Sequence, residues 1–122
     1  MVVHLVHKSA AGEYAVVGLL FDKSEQDNPA LQKIWERMPT TEGEAVKHDV
    51  KIDVTSLLPT DRNYYAFAGS FTTPPCTEGV KWMILKQKLT LSAAQLARFK
   101  SIIHDNARPI QPLNARKVLS SN

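Results

Sequence analysis

The chain has 122 residues, 43% of them hydrophobic, with one cysteine and a formal net charge of +3. These values suit a folded domain and exclude a collagen-like repeat, a disordered polar tract and a disulfide-dense scaffold. The 15 basic residues are interleaved with 12 acidic ones, which gives a solvated surface and no stripe for nucleic acid, and no apolar run reaches the roughly 18 residues of a membrane helix.

Residues Val2 to His7 read as a short strand, and Lys8 to Glu13 supply a turn. Tyr14 to Phe21 form a nearly unbroken apolar run, as expected for a strand buried on both faces. Asn28-Pro29 has the form of a helix N-cap followed by proline at the first helical position. Leu31, Ile34, Trp35 and Met38 then recur at helical spacing, predicting a short amphipathic helix that ends before Pro39. From Val46 to Val54 the apolar residues alternate with Lys47, Asp49, Lys51 and Asp53, which predicts a half-buried strand with His48 inward or at an edge.

Asn63 to Ala68 and Val80 to Lys88 are expected to be two further strands, joined by the loop Gly69-Ser-Phe-Thr-Thr-Pro-Pro-Cys76, whose prolines cannot continue a ladder. Ser92 and Gln95 have capping-box spacing, and Leu96, Phe99 and Ile103 share one helical face behind them. The last segment, with Pro109 and Pro112, is expected to be extended. The resulting fold class is mainly β (α+β), one domain over residues 1–122 with two short helices.

On a strand, His4 and Val6 point to one face while Leu5 and His7 point to the other, so at most one of the two histidines can serve a given metal. Either histidine, taken alone, reads first as a hydrogen-bonded core residue and only second as a ligand. Cys76 has no cysteine partner in the chain and reads as an inert buried thiol. The first residues lack a charged region followed by an apolar stretch, so no signal peptide is expected within the chain.

Three strings, Val3-His-Leu-Val-His7, Gly69-Ser-Phe-Thr-Thr-Pro-Pro-Cys-Thr-Glu-Gly-Val-Lys-Trp82 and Asn106-Ala-Arg-Pro-Ile-Gln-Pro-Leu-Asn114, closely resemble the α-class carbonic anhydrases in order and spacing. The family consists of zinc enzymes that interconvert carbon dioxide and bicarbonate, and its fold is a large twisted mixed sheet with small flanking helices. The resemblance covers the C-terminal half of such an enzyme. It implies that His4 is the third zinc ligand position and that Thr72 orients zinc-bound hydroxide, with Thr73 contacting bicarbonate. Val6, Val16, Phe71, Val80 and Trp82 are implied to line the apolar substrate pocket, His7 to be buried on the opposite face, and Asn106 and Arg108 to make structural hydrogen bonds.

The same resemblance places the other two zinc ligands in an upstream half that this chain does not supply. It also puts Val2 where the family has a glutamate that steadies the third histidine. One imidazole cannot hold a catalytic zinc, which takes three protein ligands and a water. The zinc site is therefore expected to be incomplete within one chain, and hydration of carbon dioxide to await a missing N-terminal half or a partner chain. A non-catalytic binding module of the same fold is the alternative. The family further implies a periplasmic or secreted location. The strand carrying His4 is expected to present an open edge through which the chain forms a homodimer.

Overall fold

The computed structural model describes residues 1–47, 49 and 51–122. These residues contain six strands and two helices in the order β1 (Val2–Lys8), β2 (Tyr14–Ser24), α1 (Pro29–Trp35), β3 (Tyr64–Ser70), β4 (Glu78–Leu85), β5 (Leu89–Ser92), α2 (Ala93–Ile103) and β6 (Leu119–Ser120). A single 3-10 turn covers Val54–Leu57. Among the described residues no helix is long and apolar enough to cross a membrane. The chain divides into two compact units, the first made of Met1, Phe21–Pro59 and Leu89–Asn106, and the second of Val2–Leu20, Thr60–Lys88 and Ala107–Asn122.

The second unit is a mixed sheet with strand order β1-β2-β4-β3-β6. β1 and β2 are antiparallel, with His4 opposite Gly18 and Val6 opposite Val16. β2 and β4 are parallel, with Val16 beside Trp82, and β3 returns antiparallel to β4 with Phe67 beside Trp82. Val16, Gly18 and Leu19 are buried, so this part of β2 is covered on both faces, as its unbroken apolar sequence requires. Val16, Val80 and Trp82 form the core of one face, against which Tyr14, Phe67, Phe71 and Ile84 pack. Near its start β4 carries one extra residue against β3: Gly69 faces Val80 and Ser70 faces Glu78, leaving Gly79 unpaired at φ +88. Such a bulge needs a residue free of a Cβ penalty at positive φ, and it turns the chain out of the ladder where the Thr72 loop begins.

In the first unit the end of β2, Phe21 to Ser24, pairs in parallel with β5. The Asn28 side chain accepts from the backbone of Ala30 and Leu31, and Pro29 opens α1, so the cap and proline act as their sequence predicts. α1 ends one turn earlier than its apolar spacing suggests: the Arg37 and Met38 amides bond to Ile34 and Trp35 and tighten the chain into a turn before Pro39. Ser92 and Gln95 form a reciprocal capping box at the start of α2. Leu31, Trp35, Leu57 and Leu91 are buried, and Trp35 stacks on Phe99 at 5.9 Å.

Two expectations need correction. The strand foreseen from Val46 to Val54 is not formed at the described residues: 46, 47, 49 and 51–53 have no regular structure, and Val54 begins the 3-10 turn. Asp53 accepts from both the hydroxyl and the amide of Thr55 at 2.7 and 2.9 Å, and a side chain bound to its own backbone in this way starts a turn where a ladder would need the backbone free. Val46 and Val54 are exposed, so the alternation has no core to face. The expected placement of His48, inward or at an edge, falls outside the described residues, as does Val50. The run foreseen from Val80 to Lys88 ends early: β4 stops at Leu85, and β5 begins only at Leu89, beyond that run. The break falls at Lys86, whose amide is taken by the Asn63 carbonyl at 2.8 Å.

Candidate functional site

The second unit carries an open groove of about 1090 Å³ on the face of the sheet that bears His4. Leu20, Phe67, Trp82 and Ile84 contribute its apolar surface, and the segment Arg108 to Val118 runs along another side. Trp82 is the pivot. Its indole is 6% exposed, lies parallel to the Phe67 ring at 6.3 Å, meets the His4 ring edge-on at 4.8 Å and donates Nε1–H to the Ser70 carbonyl at 2.9 Å. These contacts bury much of the His4 imidazole, and loss of solvent pushes its pKa below the usual histidine value. His4 is consequently neutral near pH 7 and makes no side-chain hydrogen bond among the described residues, so its ring nitrogens retain a lone pair for a ligand.

Flat placement of the indole depends on Gly69. A Cβ there would lie 2.8 Å from Trp82 Cδ1 and 3.2 Å from Nε1, and the ring is held by stacking on one side and by the Ser70 bond at its edge. A Cβ at Gly18 would instead meet the free end of the Ile84 side chain, which can change rotamer. Gly69→Ala should therefore destabilise the protein by about 1–3 kcal/mol, while Gly18→Ala should stay within about 0.5 kcal/mol. Urea midpoints of the two variants check this, and the reverse order would contradict the assigned role of Gly69.

The loop after β3 brings Thr72 to the groove. Ser70 and Phe71 hold its base: Arg108 donates from Nη1 to the Ser70 hydroxyl at 2.8 Å and to the Phe71 carbonyl at 3.4 Å, and the Phe71 amide bonds to the Thr77 carbonyl at 3.0 Å. The Cys76 amide closes on the Thr73 carbonyl at 2.9 Å across a cis Pro74–Pro75 bond, with Cys76 itself at φ 56. The Phe71 ring turns away to meet Tyr14 edge-on at 4.9 Å. Thr72 is left exposed, with a hydroxyl able to donate and accept.

The structure brings together His4, Thr72 and Trp82 from the sequence expectations, with Arg108 beside them. Val16 and Val80 share the face but lie beneath it, each 1% exposed in the core. Val6 is 56% exposed and, like Thr73, does not line the groove. Asn106 is exposed. His7 lies on the opposite face, as alternation requires, but it is exposed where burial was expected, because it sits near the end of an edge strand with nothing packed over it among the described residues. Phe67, Ser70 and Ile84 were missed by the sequence reading. The alternation of Tyr65, Phe67 and Gly69 in β3 was the signal that put Phe67 on this face.

A zinc ion of the kind that the resemblance implies does not fit the described residues. Among the described residues His4 is the one imidazole lining the groove, His7 points to the other face, and His104 caps the end of α2. No group of three or more histidine, cysteine, aspartate or glutamate side chains among the described residues is arranged to hold a metal. The groove supplies an apolar wall, one neutral imidazole and the Thr72 hydroxyl, with Ser70, Glu78, Arg108 and Arg116 also in its lining.

Comparison with known proteins follows the same lines. A family model described as eukaryotic-type carbonic anhydrase matches residues 5–122. The chain is 48% identical over 120 residues to a carbonic anhydrase of Klebsiella pneumoniae, an alignment that takes in 98% of this chain and 48% of that protein. It is 42% identical over 117 residues to a carbonic anhydrase of Pectobacterium carotovorum, with 95% and 48% covered. Among solved structures, the α-carbonic anhydrase of Thermovibrio ammonificans in complex with the inhibitor sulfanilamide superposes with a TM-score of 0.90 at 43% identity, covering 96% of this chain and 52% of that one. A hyperthermostable carbonic anhydrase identified from a hydrothermal vent chimney gives 0.91 at 40% identity, with 99% and 54% covered. The chain thus spans about half the length of the relatives it matches.

Proposed function

The chain belongs to the α-class, eukaryotic-type carbonic anhydrase family, and from that membership we propose that it contributes the substrate-facing half of a site for carbon dioxide and bicarbonate, with the remaining metal ligands coming from a segment outside its 122 residues. The placement of His4 carries the reading: a neutral, half-buried imidazole held edge-on by Trp82 at the mouth of an apolar groove. Carbon dioxide is small and nonpolar, so the wall of Phe67, Trp82 and Ile84 favours it over bulk water. Thr72 can hold an oxygen nucleophile or a bicarbonate oxygen in a fixed direction, because Arg108 anchors the base of its loop. His4 offers one donor to a shared metal, which is too few for the described residues to form a catalytic centre. We place the protein in the periplasm or outside the cell, as the bacterial relatives' family suggests.

A stopped-flow assay of carbon dioxide hydration by the chain alone, with excess zinc, should give at most trace turnover, and metal analysis should find no tightly held zinc. Adding the part of the Klebsiella pneumoniae relative that lies outside the alignment should restore both zinc retention and sulfanilamide-sensitive hydration, and His4→Ala should abolish them. Full turnover by the chain alone, or restored turnover indifferent to His4→Ala, contradicts the reading. Failure of the added segment to restore either property favours the second reading, a non-catalytic module of this fold.

A further inference from the structure

The peptide between Phe71 and Thr72 is held at its oxygen and open at its nitrogen. The Phe71 carbonyl accepts from the Ser70 hydroxyl at 2.9 Å and from Arg108 Nη1 at 3.4 Å. The same Nη1 donates to Ser70 Oγ at 2.8 Å. A guanidinium has no acceptor atom, so the hydroxyl accepts from Arg108 and its own proton is the one that reaches the Phe71 carbonyl. Three bonds thus run in one direction, from the cation through Ser70 to a single peptide oxygen. Trp82 Nε1–H fixes the Ser70 carbonyl at 2.9 Å and keeps the relay in place. Glu78 lines the same groove, but among the described residues Arg108 makes no ion pair with it or with any other carboxylate. Ser70 and Arg108 are both half-buried, which strengthens the pull of this uncompensated charge.

Within the loop, the Phe71 amide is taken by the Thr77 carbonyl and the Cys76 amide by the Thr73 carbonyl, at 3.0 and 2.9 Å. The Thr72 amide has no hydrogen-bond partner among the described residues, and Thr72 is exposed in the lining of the groove. The Phe71–Thr72 peptide is trans, so this N–H points opposite to the carbonyl that Arg108 and Ser70 hold. We propose that Arg108 and Ser70 are positioning residues that act through this peptide, drawing electron density to the Phe71 oxygen and so making the Thr72 N–H a strengthened donor for an oxygen of bicarbonate. Amide resonance passes the effect from oxygen to nitrogen. Arg108 thereby does more than anchor the loop, since a neutral anchor of the same reach would hold the backbone without polarising it. The choice of bicarbonate follows the carbon dioxide reading above; the polarised peptide follows from the hydrogen bonds alone.

Base-catalysed hydrogen exchange at the Thr72 amide reads this polarisation in the chain as it stands, with neither metal nor substrate. Hydroxide takes the amide proton, leaving an anion whose charge rests largely on the Phe71 oxygen, and water then returns a proton to the nitrogen. A cation bonded to that oxygen stabilises the anion and speeds exchange. NMR saturation transfer from water across a pH series should show Arg108→Met slowing exchange at Thr72 about tenfold, with Arg108→Lys keeping most of the wild-type rate. The Thr73 amide, whose peptide oxygen neither residue touches, should change less. Ser70→Ala should slow Thr72 by a smaller factor, since Nη1 still reaches the carbonyl. A merely structural role predicts the opposite sign, because a loosened loop exchanges as fast or faster. A Thr72 rate in Arg108→Met within about twofold of the wild type or above it, or equal slowing by Met and Lys, overturns the proposal. If Arg108→Met does not fold, Ser70→Ala decides: slowing centred on Thr72 supports the relay, and an unchanged or faster rate overturns it. Failure of the added segment to restore hydration counts against the proposed function and leaves the exchange result standing; a failed exchange test leaves hydration standing.

Discussion

Trp82→Ala is expected to lower the unfolding free energy by about 3–5 kcal/mol, a large share of the roughly 5–15 kcal/mol that holds a domain folded. Three interactions leave with the indole: the parallel contact to Phe67, the edge-on contact to His4 and the hydrogen bond to the Ser70 carbonyl. The neighbouring core residues Val16 and Val80 are each 1% exposed and belong to paired strands, so they cannot close the space. Urea unfolding followed by circular dichroism measures the loss, and a change below about 1 kcal/mol contradicts the central role of Trp82. The same variant probes the site. Burial is what lowers the His4 pKa, so an NMR titration should find His4 moved back towards the ordinary histidine value when the ring beside it is gone.

The second large effect is expected at Gln95, a polar side chain that is 3% exposed in the first unit. Its Oε1 accepts from the Asn28 amide at 2.9 Å and from the Ser92 amide at 3.3 Å. Its Nε2 donates to the Asn28 carbonyl at 3.0 Å and to the Gln32 side chain at 3.3 Å. One amide therefore ties the start of α1 to the start of α2, while Trp35 donates its indole N–H to the Gln95 carbonyl at 2.9 Å. Gln95→Leu keeps a similar volume but strands three backbone groups, and a loss of about 3 kcal/mol is expected from burying them without partners. Ser92→Ala, which removes the bond that caps the Gln95 amide, should cost only about 1 kcal/mol. Thermal or urea unfolding of the pair checks the ranking, and equal effects would mean that Gln95 acts only as a cap of its own helix.

Local signals were legible wherever the chemistry is local. The Asn28-Pro29 cap, the Ser92 and Gln95 box, and the strands around His4, Val16 and Trp82 all formed at or near their expected positions, since each depends on neighbours within one turn or one pleat. The alternation from Val46 to Val54 misled because a period of two signifies a strand only where one face finds a core. Asp53, bonding to Thr55, supplied a competing local structure. The bulge at Gly79 and the close approach at Gly69 left no mark in the sequence beyond a glycine, whose purpose depends on what lies against it.

The amino-acid sequence by itself determined the family, through three strings kept in order and spacing, and with it three of the groups that meet in the groove: the His4 imidazole, the Thr72 hydroxyl and the Trp82 indole. Tertiary structure alone decided how those groups are used. It set His4 against Trp82 so that burial keeps the ring neutral, moved Val6 and Thr73 out of the groove, left His7 exposed, and gave Gln95 two helices to cap. The physical reason is that side-chain type and strand parity are fixed along the chain, whereas burial and hydrogen-bond partners depend on residues far apart in sequence that meet only when the sheet has formed.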